Sequence, residues 1–301
     1  MPNQTKAGVI YALVAFTFWG LTPIYFKALA HVPATEILLH RVLWSVVFLF
    51  LILALRRQFQ TVKILWENKP LLLKLFLSAL LVGGNWLIFI WAVNHDMLIE
   101  SSLGYYINPL VNILLGILFL QERPTKMQKV AIVLAFLSVS YQVYTLGKLP
   151  VVSLSLAFSF GFYGLLRKQV SVSSLPGLYI ETLLLLPVAL FYLLYLFFEG
   201  TSSFSPTLGT MTSWILLLAG PVTIFPLLCF NSATTRLQLS TIGYFQYIGP
   251  SVNLLLALWV YQEPISQEKL ITFALIWSAL ILVSLESFQN RRTLRTMHKE
   301  I

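Results

Sequence analysis

From its N-terminus onward the chain is a succession of apolar runs, each about 18 to 24 residues long, the length a helix needs to cross a hydrocarbon layer. Ten such runs can be drawn, at 8–29, 34–55, 71–93, 98–120, 127–144, 151–166, 175–198, 212–233, 239–261 and 270–285. They are apolar all round and lack the two-residue alternation of barrel strands, so they predict helices. The expected fold is therefore an all-α, polytopic membrane protein with ten transmembrane helices. The first run follows Lys6 without an Ala-x-Ala-like cleavage site and reads as a retained span. Residues 62–66 are apolar but too few to cross, and are expected at the membrane surface.

Composition strengthens this picture. Of 301 residues 58% are apolar and 10% charged, with a mean hydropathy of +0.81, and a soluble domain cannot hide that much apolar surface. The lone cysteine, Cys229, lies inside a run and is expected to serve packing. A net charge of +9 would suit a nucleic-acid binder only if it formed a basic face on a soluble fold, so no nucleic-acid partner is expected. The placement of the charges is better explained by topology. With loops assigned alternately to two sides, one side collects Lys6, Arg56, Arg57, Lys63, Lys69, Lys74, Arg123, Lys126, Lys129, Arg167, Lys168, Arg236, Arg291, Arg292, Arg295 and Lys299. The other side holds Lys148 and Lys269, and Lys27 and Arg41 fall within spans. Basic residues stay cytoplasmic, so both termini are expected in the cytoplasm.

The chain also repeats itself. Pro109, Asn112, Gln121 and Glu122 recur 141 residues later as Pro250, Asn253, Gln262 and Glu263, and the small residue Ala257 stands opposite Gly116. Trp19-Gly20-Leu21 is echoed by Tyr163-Gly164-Leu165, and His40-Arg41 falls opposite Glu181-Thr182. This divides the chain into a first five-span repeat at 1–146, a second at 147–287 and a basic cytoplasmic tail at 288–301. Five is odd, so the second repeat must enter the bilayer from the opposite side. The charges agree: Arg123, Lys126 and Lys129 follow the first Gln-Glu, whereas Pro264, Ile265, Ser266 and Gln267 follow the second. Inverted repeats of this kind are a hallmark of secondary transporters, in which the halves exchange conformations to open a central site to either face.

The same residues resemble a known family over essentially the whole chain. Phe18-Trp19-Gly20-Leu21 with Pro23, Glu36-Ile37-Leu38-Leu39-His40-Arg41 with Trp44, and Gly84-Asn85-Trp86 carry it in the first three spans. The run from Ser102 to Leu110, Glu181-Thr182, Gly243-Tyr244 and Gln246-Tyr247 extend it through the rest. Together these segments resemble RarD-type members of the EamA group in the drug/metabolite transporter superfamily. The resemblance implies ten spans in two EamA repeats, a bacterial cytoplasmic-membrane location and efflux of drugs or metabolites, and its name is associated with chloramphenicol sensitivity. It assigns no cargo and no binding residues.

Charged side chains inside spans are costly and usually face a cavity or a partner, which singles out Lys27, Glu36, His40, Arg41 and Glu181. Glu36 and His40 share one helical face. His40 and Glu181 are candidates for coupling proton movement to cargo. The competing reading is a static bridge of Arg41 or Lys27 with Glu181 or Glu36, or snorkelling of Lys27 and Glu36 to the interface. Tyr105, Pro109, Asn112 and Gly116 form one stripe on the fourth span, matched by Gln246, Pro250, Asn253 and Ala257 on the ninth. The asparagines are candidates for cargo contact or for helix packing. Asn85, Trp86, Tyr105, Tyr106, Asn108, Tyr244 and Tyr247 would suit a mixed aromatic and polar pathway for a small organic solute. Trp91 reads more readily as an interface anchor, and Pro187, Pro221 and Pro226 as bending points.

An enzyme reading lacks its parts: there is no His-Glu-x-x-His, Gly-x-Ser-x-Gly or Gly-x-Gly-Asp signature. His95-Asp96 has too few companions for a metal site, so no metal or cofactor is expected. No P-loop is present, which points to secondary transport. A regulatory or scaffold membrane protein is the alternative function. The expected partners are the lipid bilayer, a small organic solute and candidate coupling protons; with both repeats in one chain, a monomer suffices.

Overall fold

The computed structural model describes residues 2–95, 97–147, 149–170, 172–204, 210–262 and 267–297. Asp96, Lys148, Glu263, Pro264, Ile265, Ser266 and Lys299 lie outside the described residues. Among the described residues the regular structure is helical throughout: α1 (Pro2–Ala28), α2 (Ala34–Arg56), α3 (Phe59–Glu67), α4 (Lys69–Asn94), α5 (Leu98–Leu120), α6 (Lys126–Leu146), α7 (Val151–Val170), α8 (Ser174–Phe198), α9 (Met211–Leu217), α10 (Ala219–Thr234), α11 (Leu239–Gln246), α12 (Ile248–Trp259) and α13 (Gln267–Met297).

Among the described residues seven segments are long and apolar enough to cross a membrane: Gln4–Ala28, Ala34–Arg56, Lys69–Ala92, Ser101–Leu120, Lys126–Thr145, Ser174–Phe198 and Met211–Thr234. The sixth, ninth and tenth expected runs fall short for separate reasons. α7 dilutes its apolar residues with Ser153, Ser155, Ser159, Arg167 and Lys168. The ninth run is two helices, α11 and α12, and the apolar part of α13 is confined to Leu270–Val283.

Two of the breaks fall at prolines. A proline ring clashes with the carbonyl four residues back and supplies no N–H to it. α11 ends at Gln246, four before Pro250, and α9 ends at Leu217, four before Pro221. Pro109, the repeat counterpart of Pro250, stays inside an unbroken α5, as Pro187 does inside α8 and Pro226 inside α10. The short run at 62–66 forms the nine-residue α3, which lays Leu65 against Leu75 and Ile180.

α2 packs on α8, α5 on α11 and α6 on α13. Around these, α4 packs on α7 and α1 on α10, α5 on α7 and α1 on α12, α4 on α8 and α2 on α10. Small residues permit the closest crossings. A Cβ at Gly243 would lie 2.6 Å from the carbonyl oxygen of Pro109, and one at Gly220 would lie 2.6 Å from the backbone of Trp44. Large apolar side chains such as Phe136, Val188 and Phe191 point outward, where lipid is their natural solvent. The main core joins Phe16, Leu49, Trp86, Tyr163, Leu178 and Phe230 from six helices.

Candidate functional site

Two charged clusters occupy different levels of the bundle, and α4 and α10 measure their separation. Ser78 on α4 and the Tyr163 partner Asn231 on α10 belong to one cluster; Trp86 on α4 and Thr223 on α10 belong to the other. Each pair is eight residues apart, about 12 Å along a helix axis. Since the two helices visit the levels in opposite chain order, they run antiparallel.

The first cluster centres on Glu181. Its Oε1 accepts from Ser78 Oγ at 2.5 Å and faces Arg167 Nη1 at 3.4 Å. Its Oε2 accepts from the Tyr163 hydroxyl at 3.4 Å, which in turn accepts from Asn231 Nδ2 at 3.0 Å. Glu181 is 0% exposed and Arg167 1%, so this ion pair is sealed among α4, α7, α8 and α10. Gly177 makes room for it: a Cβ there would lie 2.5 Å from Arg167 Nη1. Among the described residues, Arg167 Nε and Nη2 are buried without a hydrogen bond. A carboxylate and a guanidinium withdrawn from water are costly unless fully paired, and this guanidinium is paired at one nitrogen.

The second cluster surrounds Arg41. Its Nε donates to Thr223 Oγ1 at 2.9 Å, and its guanidinium lies 4.6 Å from the centre of the Trp86 ring and 5.8 Å from that of Phe26. Tyr25 and Tyr105 are within its electrostatic reach. Arg41 stays half-buried, and Tyr105 keeps 53% of its surface accessible although Arg41 and Phe89 flank it. One turn away, Glu36 and His40 are buried and already engaged. Glu36 Oε1 accepts from Ser202 Oγ and Ser203 N, both at 2.8 Å, and faces His40 Nε2 at 3.9 Å. His40 Nδ1 accepts from Trp44 Nε1 at 3.2 Å, which places the ring proton of a neutral imidazole on Nε2. Phe204 covers His40 and Trp44. Glu36 and His40 therefore tie the connection after α8 onto α2.

The stripe on α5 and α11 forms a polar crossing between them. Asn112 Nδ2 donates to Gln246 Oε1 at 2.5 Å, Gln246 Nε2 donates to Asn108 Oδ1, and Asn108 Nδ2 donates to the carbonyl of Ala157 at 2.6 Å. Asn108, Asn112 and Gln246 are all buried, so their side chains join helices and line no open space. Asn253, the repeat counterpart of Asn112, is exposed on α12. Asn85 holds α4 to α7 through the Leu156 carbonyl and Ser159. The Tyr244 hydroxyl donates to the Gln128 carbonyl, and that of Tyr247 to the Tyr106 carbonyl, with Tyr106 packed edge-on against Phe273. Glu122 accepts from the backbone of Leu239 and Ser240, capping the N-terminus of α11.

Of the candidates singled out in the sequence, Arg41 meets Trp86 and has Tyr105 within electrostatic reach, Asn253 is exposed, and the others serve contacts within the bundle. The static bridge weighed for Glu181 takes a different cation. The sequence groups Arg167 with the cytoplasmic loop charges, because it ends an apolar run beside Lys168. In the structure α7 continues to Val170 and turns Arg167 inward, while Lys168 donates to the carbonyls of Thr234 and Leu237. Lys27 sits 3.2 Å from the centre of the Tyr261 ring. Ser78, Tyr163, Asn231 and Thr223 were not anticipated; a buried acid such as Glu181 was the signal that donors must surround it. His95 stacks on Trp91 at 4.4 Å, and among the described residues no cluster of three metal-ligating side chains occurs. Two shallow surface grooves, lined by Phe59, Trp66 and Tyr179 and by Leu77, Leu81 and Phe162, are mainly apolar and take no lining from the residues of either cluster.

Known proteins agree with this architecture. The EamA-like transporter family matches the chain over residues 6–143. Protein RarD of Salmonella typhi is 49% identical over 290 residues, covering 96% of this chain and 98% of that protein. An uncharacterized transporter of Vibrio cholerae serotype O1 is 49% identical over 294 residues, covering 96% of each. A crystal structure sharing 15% identity aligns over 96% of this chain and 99% of its own with a TM-score of 0.70, which shows a common fold. A multi-pass protein of the bacterial inner membrane, the chain belongs to the EamA-like transporter family as a RarD-type member.

Proposed function

We propose that the chain is a secondary efflux permease for a small organic metabolite or drug, built of ten spans in two inverted five-span repeats with both termini cytoplasmic. The observation that carries this reading is the packing. If the first span is paired with α7, the second with α8, α4 with α9–α10, α5 with α11–α12 and α6 with α13, exchanging the halves turns each main helix contact into another. The contact of α4 with α7 becomes that of α10 with α1, and the contact of α4 with α8 becomes that of α10 with α2. The antiparallel course of α4 and α10 is what inversion requires of counterparts. Gln121 and Gln262, the repeated glutamines, both adopt left-handed backbone angles, with φ of 55° and 52°.

Alternating access also needs a contact that can break. The Arg167–Glu181 pair fits that role at the cytoplasmic level: a buried guanidinium with two unsatisfied nitrogens favours a second arrangement in which water or cargo reaches it. Glu181 is accordingly the preferred candidate for proton coupling, because protonating it removes the charge that holds Arg167. His40, capped by Trp44 and Phe204, is better suited to structure.

The test compares the small organic compounds released by cells that produce the wild-type chain and cells that produce Glu181→Gln. The expected result is at least one compound enriched outside wild-type cells and depleted outside the variant. Identical extracellular profiles for wild-type and non-producing cells would contradict export.

A further inference from the structure

We infer that Arg41 is a subsite for a carboxylate carried by the cargo, and that the cargo is a monoanionic aromatic acid. This inference rests on the transport reading and specifies what is transported.

The guanidinium has five donors in a planar fork, and the structure uses one edge of it. Nε is fixed by Thr223, while one face lies against Trp86. Nη1 and Nη2 make no hydrogen bond among the described residues and are not closed off from solvent. Among the described residues no carboxylate lies within ion-pair distance of Arg41. The two nearest in sequence logic are committed elsewhere, Glu36 to Ser202, Ser203 and His40, and Glu181 to Ser78 and Arg167. A cation held inside a membrane protein requires compensation, and two terminal nitrogens left without a protein acceptor match the two oxygens of a carboxylate.

The surroundings define the rest of the ligand. Trp86 stiffens the fork from one side, as an aromatic face does for guanidinium, and Tyr105 lies within electrostatic reach of it. Tyr105 and Phe89 present ring surface at 6.2 Å centre to centre, apolar walls suited to an aromatic body. Among the described residues Arg41 has no free acid beside it, and its one positive charge balances one negative charge. A zwitterion would bring an ammonium group for which the site offers no uncommitted carboxylate. A phosphate ester would bring a second negative charge that this single guanidinium leaves uncompensated.

The experiment titrates the full-length protein in lipid nanodiscs with indole-3-acetate, indole-3-acetamide and tryptophan, which share a ring and differ in charge. The wild type is expected to bind the acid at least about tenfold more tightly than the amide, the scale of one charge-assisted hydrogen-bonded pair. Arg41→Gln is expected to abolish that preference, and Arg41→Lys to reduce it by keeping the charge without the fork; should the glutamine variant fail to fold, the lysine variant carries the test. Equal binding of acid and amide, absence of acid binding, or an undiminished preference in the Arg41 variants would overturn the anion subsite. Tighter binding of tryptophan than of indole-3-acetate would overturn the monoanion assignment. Flux in proteoliposomes separates the two claims: acid-selective binding without flux of any cargo counts against transport alone, and flux indifferent to Arg41 counts against the subsite alone.

Discussion

Arg41 and Arg167 are both arginines inside the helix bundle, about 12 Å apart in level, and they stand in opposite conditions. Arg167 is sealed and faces a carboxylate; Arg41 is half-buried and, among the described residues, faces none. The position matching Arg41 in the repeat holds Thr182, and the position matching Glu181 holds His40. On the proposed two-repeat reading, these are two similar half-sites of different chemistry, one suited to close a passage and one to leave a cation available within it.

The largest expected effect tests the sealed side. Arg167→Ala or Glu181→Ala leaves an uncompensated buried charge and is expected to destabilise the purified protein by about 3–5 kcal/mol, measured by thermal unfolding in detergent. The double replacement Arg167→Met with Glu181→Leu is expected to lose less than either single one. Arg41→Gln, which removes an accessible charge, a ring contact and one hydrogen bond, is expected to cost about 1–2 kcal/mol in the same assay. Equal losses at Arg41 and Arg167 would erase the distinction between them.

A comparable loss is expected from Gly243→Ala, which drives a methyl group into the Pro109 carbonyl and forces α11 from α5, at about 1–3 kcal/mol. Asn112 and Asn253 repeat the same contrast at a smaller scale. Asn112→Ala is expected to cost about 0.6–1.7 kcal/mol, because it breaks a hydrogen-bonded crossing inside the bundle. Asn253→Ala, at an exposed position, is expected to stay within about 0.5 kcal/mol of wild type. A greater loss at Asn253 than at Asn112 would reverse the assignment of which repeat element carries the crossing.

Much of the helical layout was legible because apolar length is a direct consequence of bilayer thickness: the runs at 34–55 and 175–198 coincide with α2 and α8 almost to their ends. The continuous ninth run was misleading, since hydropathy does not register a break when both flanks are apolar. Pro250 carried the signal, yet Pro109 in the same repeat position leaves α5 unbroken, so proline alone does not decide. Within the site, Arg41 and Glu181 were visible as charges in apolar surroundings. Their partners were not, because Ser78 and Thr223 are neutral and lie far away in sequence. Arg167 was hidden by Lys168, its neighbour, which gave the pair the look of a solvated loop end. The spacing Tyr163 to Arg167, one helical turn, put both on the face that meets Glu181.

Opposite insertion of the two halves is the claim on which the passage between them depends, and labelling reads it directly. With Cys229 replaced by alanine, single cysteines at Lys126 and Gln267 are exposed to a membrane-impermeant maleimide in intact spheroplasts and in everted vesicles. The account predicts that the cysteine at position 126 reacts only in everted vesicles and the one at 267 only in spheroplasts. Reaction of both from the same side would contradict it.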